Sequence, residues 1–193
     1  MDIRTGIRNI LAVLVSAGLI VLLIVLLFKA IFGHAAAPQK QIDVTKYADT
    51  NAVATLLIDG PTNLDQNHYQ VKFTVDAIHS EIDVMQGYQS SVVKTQSYPS
   101  NTVAYASFLQ SLKLLGFAHG KTTPLDNRGY CPNGSRYIYS FDSTETDKFS
   151  FWSTSCGGAS TFQGNPLGVR QLFEAQIPVH DLIELTAGTD VSL

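Results

Sequence analysis

The chain has 193 residues, of which 45% are hydrophobic and 15% charged, with a formal net charge of −3 and two cysteines. This composition excludes a strongly basic nucleic-acid-binding protein and a small scaffold that depends on many disulfides. It leaves enough apolar residues for a hydrophobic core in one domain.

The first feature along the chain is an uncharged apolar run from Ile10 to Phe28. As a helix of about 19 residues, each rising about 1.5 Å, it would span roughly the 30 Å of a bilayer core. Arg4 and Arg8 precede the run and only Lys29 follows it directly, which favours a cytoplasmic N-terminus. The predicted order is a cytoplasmic tail at 1–9, a transmembrane helix at 10–28, a stalk at 29–42 and an extracytoplasmic domain at 43–193.

A cleaved signal peptide is the alternative for this run, because Ala35, Ala36 and Ala37 resemble the small residues of a cleavage site. The run is longer than the usual signal core of roughly 7 to 15 residues, and Pro38 would directly follow the cut. Both points favour an uncleaved, single-pass anchor in the cell membrane.

The part of the chain after the anchor is mildly acidic. Once Asp2, Arg4, Arg8 and Lys29 are removed, the 16 acidic residues become 15 and the 13 basic residues become 10, a net charge of about −5. This part has no polybasic stripe for nucleic acid or for acidic lipid head groups. We therefore expect no nucleic-acid partner, and membrane contact only through residues 10–28.

Alternation of apolar and polar residues predicts the strands of a sheet. The clearest pair is formed by the last two predicted strands, an aromatic-rich hairpin with its loop at Ser143–Asp147. The predicted strands are Ala52–Ile58, Tyr69–Asp76, Ser80–Met85, Arg136–Asp142 and Lys148–Thr154, with a weak further candidate around Val92 and Val93.

Two helices are marked by their caps. Asn101 caps a helix that continues to Leu115, where Gly116 ends it. Asn165 caps a second helix over Pro166–Ile177. Val179–Leu185 fits either a short helix or an edge strand. The predicted fold is α+β, an antiparallel sheet of about five strands with two helices on one face.

The two cysteines lie almost symmetrically about the predicted hairpin loop. Cys131 precedes its first strand and Cys156 follows its second, so an antiparallel pairing brings them nearly opposite each other. An extracytoplasmic compartment also permits oxidation. The sequence therefore predicts a Cys131–Cys156 disulfide.

A second hypothesis uses Cys156 differently. The segment Ser153-Thr154-Ser155-Cys156, with Arg170 downstream and His119 upstream, resembles the cysteine, arginine and histidine set of sortases. The resemblance implies a transpeptidase or hydrolase in which a Cys156 thiolate pairs with His119, and Arg170 stabilises the oxyanion. Cys131 competes for Cys156, since a disulfide-bonded sulfur is not a nucleophile.

Candidate binding residues cluster around the predicted hairpin. Trp152 has the opposite parity to Phe149 and Phe151, which places it on the outer face of the sheet as a possible anchor. Arg128 and Tyr130 lie in the loop that leads to Cys131. A loop closed by a disulfide on a rigid sheet is a suitable place for recognition.

The histidines His68, His79, His119 and His180 lack the spacing of metal ligands, and we expect them at the surface. The sequence has no glycine-rich phosphate-binding motif. We therefore expect no metal and no cofactor. The leading hypothesis is a noncatalytic binding or structural module of the cell envelope with a protein or glycan partner, and the alternative is the sortase-like enzyme.

Overall fold

The structure is a computed structural model that describes residues 18–23, 42–49, 51–121, 126–144 and 147–191. The chain divides into two compact units, Met1–Lys40 and Gln41–Leu193. In the first unit the described residues, 18–23, are helical. No helix among the described residues has the length and apolar character needed to cross a bilayer. The rest of the predicted span Ile10–Phe28, the predicted tail 1–9 and nearly all of the predicted stalk lie outside the described residues.

The second unit is an α+β domain built on a six-stranded antiparallel sheet. Short 3-10 turns at Val44–Tyr47 and Asp65–Asn67 precede its first two strands. The strands are β1 (Val53–Asp59), β2 (Tyr69–Val75), β3 (His79–Gln86), β4 (Ser91–Pro99), β5 (Arg136–Asp142) and β6 (Lys148–Thr154), and the helices are α1 (Thr102–Leu114), α2 (Pro166–Glu174) and α3 (Val179–Thr186).

Two parts of the predicted fold need correction. The sheet has six strands rather than about five, because the weak candidate at Val92 and Val93 belongs to a full strand, β4. This strand is exposed along nearly its whole length, so burial imposes no alternation on its sequence. Val179–Thr186 forms a third helix, which settles the choice left open by the sequence.

The sheet order is β4-β3-β2-β1-β5-β6, and every neighbouring pair is antiparallel. As a result, the connections after β1, β3 and β6 and the segment before β5 all lie at one end of the sheet. We call this the loop end, formed by residues 60–68, 87–90, 126–135 and 155–161. The chain enters β1 at the opposite end, where residues 42–49 pack against the core.

The core lies between one face of the sheet and the helices. In β1 the buried residues Ala54, Leu56 and Ile58 alternate with partly exposed ones. In β5 the aromatic residues Tyr139 and Phe141 are buried beneath the helices. We call this side the core face and the opposite side the outer face.

The helix caps are as predicted. The Asn101 side chain accepts a hydrogen bond from the Ala104 N–H at 2.9 Å, and the Asn165 side chain accepts one from the Gly168 N–H at 3.0 Å. Both satisfy amides that have no partner inside the helix. Gly116 follows α1 with φ of +74°, a conformation that favours glycine.

Helix α3 is fixed to the edge strand β4. The Tyr98 hydroxyl donates to Asp181 at 2.7 Å, and burial, followed by this hydrogen bond, raises the pKa of Tyr98 to about 12. The Lys94 ammonium donates to the Leu185 carbonyl at 2.9 Å, near the C-terminal end of α3. This is the end of a helix that favours a cation.

Candidate functional site

A row of polar side chains crosses the outer face at the loop end. Asp59 is the last residue of β1 and pairs with Gln70 of β2 on one side and Arg136 of β5 on the other. Its carboxylate accepts from Gln70 Nε2 at 3.1 Å and from Arg136 Nη2 at 2.6 Å. The strand register therefore places one acceptor between two donors.

His68 completes this row from the loop before β2. Its ring is fully buried, with Nε2 3.0 Å from Asp59 Oδ1 and Nδ1 3.0 Å from the Pro61 carbonyl. Both oxygens can only accept, so a ring nitrogen that carries a proton donates to the oxygen that it faces. The expectation of a surface histidine is wrong for His68, which ties the 60–68 loop to the sheet.

Tyr88 lies on top of His68. The two rings are stacked, with centroids 4.2 Å apart and planes 15° apart. The Tyr88 N–H donates to Asp65 Oδ1 at 2.8 Å, and its hydroxyl donates to the Asn63 carbonyl at 2.8 Å while accepting from the Asn63 N–H at 3.1 Å. The residue is nevertheless 49% exposed. Tyr88 is therefore an aromatic ring that is fixed in place and open to solvent.

The second part of the loop end is closed by the two cysteines. Cys131 and Cys156 lie at disulfide distance, with Cα atoms 5.7 Å apart. The Ser155 N–H donates to the Ser135 carbonyl, and Ser155 Oγ accepts from the Ser135 N–H, both at 2.9 Å. A Cβ on Gly134 would collide with the Cys131 sulfur, so the turn beside the bridge requires glycine. The predicted cysteine pairing agrees with this geometry.

The predicted binding residues lie on and beside this closed loop. Trp152 is on the outer face, as its parity predicts, but only 6% of it is exposed. The Tyr130 ring packs on it with centroids 5.2 Å apart and is itself 39% exposed. Arg128 is exposed and pairs with Asp126. Trp152 therefore supports Tyr130, and Tyr130 is the more exposed of the two rings.

The two parts of the loop end are connected through the main chain. The Thr62 N–H donates to the Pro132 carbonyl at 2.7 Å, which joins the 60–68 loop to the disulfide-closed loop. Between them lie β1 and β5, which carry Asp59 and Arg136. Tyr88 and Tyr130 thus stand on either side of the polar row.

The residues of the sortase-like hypothesis have other partners. Cys156 lies against Cys131, and in a disulfide its sulfur carries no thiolate. Arg170 Nε is 3.2 Å from Glu174 Oε1 on α2, and its guanidinium lies 6.0 Å from the Tyr137 ring centroid. Burial raises the pKa of Glu174, and Arg170 opposes that shift. His119 lies in the segment after α1, where its carbonyl accepts from the Gln163 N–H.

The sequence did not single out Asp59, His68 or Tyr88 as one cluster. Asp59 sits at a strand end followed by glycine and proline, a pattern that predicts only a turn. What joins these residues is the register of β1 with β2 and β5, which single-strand periodicity does not determine. The one indication of this cluster in the sequence is that Asp59, Gln70 and Arg136 are polar residues near the ends of their strands.

No group of histidine, cysteine and acidic residues suited to a metal ion occurs among the residues that the structure describes. No protein-family model matches the sequence, and no curated protein matches it significantly. We therefore describe the class of this protein from its fold and its site alone. It is an α+β domain whose loop end combines a buried His-Asp-Arg row, a disulfide-distance cysteine pair and two supported tyrosines.

Replacement of Asp59 by Asn tests the polar row. Asp59→Asn removes the carboxylate that faces both His68 and Arg136, and leaves these donors without a charged partner in a largely buried site. We expect the free energy of unfolding to fall by about 3 kcal/mol, as is typical when one member of a buried pair is removed. Urea unfolding followed by the fluorescence of Trp152, the single tryptophan, measures it.

The matched control is Asp126→Asn, which makes the same change in an exposed ion pair with Arg128. We expect no measurable loss of stability from it, because exposed pairs contribute little. Equal effects of the two variants would contradict a special role for Asp59.

Reduction of the cysteine pair tests the closed loop. The cysteines are 25 residues apart, for which the loop-entropy model gives about 3 to 4 kcal/mol. We expect thiol alkylation and intact mass to detect no free thiol before reduction and two after it, and we expect reduction to lower the free energy of unfolding. The double variant Cys131→Ser with Cys156→Ser should not respond to reductant. Two alkylated thiols in the native, unreduced protein would show that the pair is not bonded and would restore the thiolate hypothesis.

Proposed function

We propose that this chain is a membrane-anchored, extracytoplasmic module that binds cell-envelope glycan without catalysis, and that the loop end is its contact surface. The observation that carries the proposal is Tyr88, which is held by His68, Asn63 and Asp65 and is nevertheless 49% exposed. Rigid aromatic rings supply contact area at a low entropic cost.

A sugar ring matches this surface in shape and polarity. The C–H face of a pyranose can lie on the face of a tyrosine ring, whose π electrons make it weakly negative. The side chains of Gln66 and Asn67, which directly follow Asp65 in the turn before β2, are exposed. Amide side chains both donate and accept, which suits neighbouring hydroxyls. The charged group of this loop, Asp65, accepts a hydrogen bond from the Tyr88 N–H.

The second tyrosine extends the surface. Tyr130 lies over β6, three strands from the β2 strand that follows His68. At about 4.8 Å between strands, the two tyrosines are separated by roughly 15 Å across the sheet. That span corresponds to several linked sugar rings, so we propose an oligosaccharide rather than a single sugar as the ligand.

The location of the surface agrees with an anchored protein. The chain enters β1 at the end of the sheet opposite to the loop end. This leaves Tyr88 and Tyr130 clear of the point where the preceding segment joins the domain. The membrane anchor itself belongs to the proposal and rests on the apolar run Ile10–Phe28.

The proposal predicts a specific loss of glycan binding. Binding of a β-1,4-linked N-acetylglucosamine tetramer to the full chain in mild detergent is measured by calorimetry. We expect Tyr88→Ala to lower the affinity by about tenfold or more, as for a central aromatic contact. Tyr88→Phe retains the ring face and should lose much less.

The control is Val103→Ala, since Val103 is an exposed apolar residue on the first turn of α1. It should leave binding unchanged. Absence of binding by the wild-type chain, or equal binding by the wild type and Tyr88→Ala, would contradict the proposal. Binding that is lost only in Tyr130→Ala would contradict the central place given to Tyr88.

A further inference from the structure

The two edges of the sheet differ in how much of their main chain is covered. The edge strands are β4 and β6. In β6 the Trp152 N–H donates to Thr161 Oγ1 at 2.9 Å, and its carbonyl accepts from the N–H groups of Thr161 and Phe162, both at 3.0 Å. The exposed Lys148 lies at the other end of β6. In β4 residues 91–97 are all exposed.

The hydrogen-bond pattern between β3 and β4 shows which main-chain groups face outward. His79 pairs with Pro99, and the Ser100 N–H donates to the Ile78 carbonyl at 2.8 Å. This bond makes His79–Pro99 a pair of the non-hydrogen-bonded type. Bonding types alternate along an antiparallel ladder, so the pairs at 98, 96 and 94 of β4 bond to β3.

Thr95 and Ser97 lie between those positions. Their N–H and C=O groups therefore point away from β3, outward from the open edge of the sheet. Among the described residues no group is bonded to these outward main-chain positions. The irregularity in the β3–β4 register falls between Val84 and Met85, opposite Val93. It leaves the stretch from Lys94 to Tyr98 regular.

Charge does not protect this edge. Lys94 is the one charged residue in β4, and its ammonium is held by the carbonyls of Glu184, Leu185 and Ala187. Edge strands that resist pairing usually carry a charge or a proline in the middle of the strand. In β4 the proline is at the end, and exposed Val92 and Val93 lie beside the open stretch.

We propose that β4 pairs antiparallel with β4 of a second copy of this chain, about a two-fold axis at Gln96. In this register Thr95 faces Ser97 of the other copy, and the two pairs form four main-chain hydrogen bonds. Lys94 faces Tyr98 of the other copy, so no like charges meet. Thr–Ser pairs across strands are favourable.

A second copy fits this edge better than a chain of unrelated sequence for two reasons. The uncharged stretch from Thr95 to Ser97 is complementary to itself in the register described. The other edge, β6, is covered at Trp152, so pairing through β4 ends at two copies and does not continue as an open stack. The assembly is a two-fold dimer with one continuous sheet.

The decisive variant is Ser97→Pro. The Ser97 N–H points away from β3, so proline removes a donor of the proposed interface while the β3–β4 ladder keeps its own bonds. The control Ser97→Ala removes the same hydroxyl and retains the N–H. Light scattering coupled to size exclusion, applied to the full chain in detergent, gives the protein mass.

We expect a dimer for the wild type and for Ser97→Ala, and a monomer with an unchanged circular dichroism spectrum for Ser97→Pro. A monomeric wild type, or a dimer that persists in folded Ser97→Pro, would overturn the proposal.

A crosslink gives a second measurement that does not depend on how well Ser97→Pro folds. The residue at the two-fold axis faces its own copy in a non-hydrogen-bonded pair, with Cα atoms about 4.5 Å apart. We expect Gln96→Cys to form a disulfide-linked dimer on mild oxidation, and the exposed control Val103→Cys to remain monomeric. Equal crosslinking at both positions, or none at Gln96→Cys, would overturn the assignment of β4 as the interface.

Discussion

The carboxylate of Asp59 is the interaction on which the loop end depends. It accepts from His68, from Gln70 and from Arg136, which belong to a loop, to β2 and to β5. Each donor is largely buried, so none can exchange the carboxylate for water without a local opening of the structure. The His68 ring then supports Tyr88, and the bond from Thr62 to Pro132 extends the connection to the disulfide-closed loop. One acidic side chain thus fixes the base of the whole surface.

Local features of the sequence were sufficient for most elements and insufficient for the site. Asn101 and Asn165 act at helix starts by accepting from amides three positions away, and Pro166 acts through its own fixed φ, so all three are visible in one segment. The hairpin was equally accessible, because the aromatic residues of β5 and β6 alternate strongly. By contrast, β4 is exposed on both faces and has no alternation to find. The row at Asp59 needs the register of three strands, and the burial of Trp152 depends on a ring, Tyr130, that comes from a distant loop.

The two proposed surfaces lie on different parts of the domain, the loop end and the β4 edge. A two-fold axis that pairs β4 with β4 stands perpendicular to the sheet, so the outer faces of both copies lie on the same side, with their loop ends pointing in opposite directions. Both copies would then present Tyr88 and Tyr130 on one side of a continuous sheet. In such a dimer one polymeric glycan would reach the proposed contact surface of both copies, which raises the effective affinity without any new contact.

The central claim is that the Asp59 row holds the loop end rigid, and amide hydrogen exchange tests it most directly. The Gly87 N–H donates to the His68 carbonyl, and the Tyr88 N–H donates to Asp65, so both amides report on the loops above the row. We predict that in the wild type these two amides exchange as slowly as those of β2. In Asp59→Asn they should accelerate by about tenfold more than the amides of α1 do. Fast exchange at Gly87 and Tyr88 in the wild type, or equal acceleration in the loops and in α1, would contradict the account.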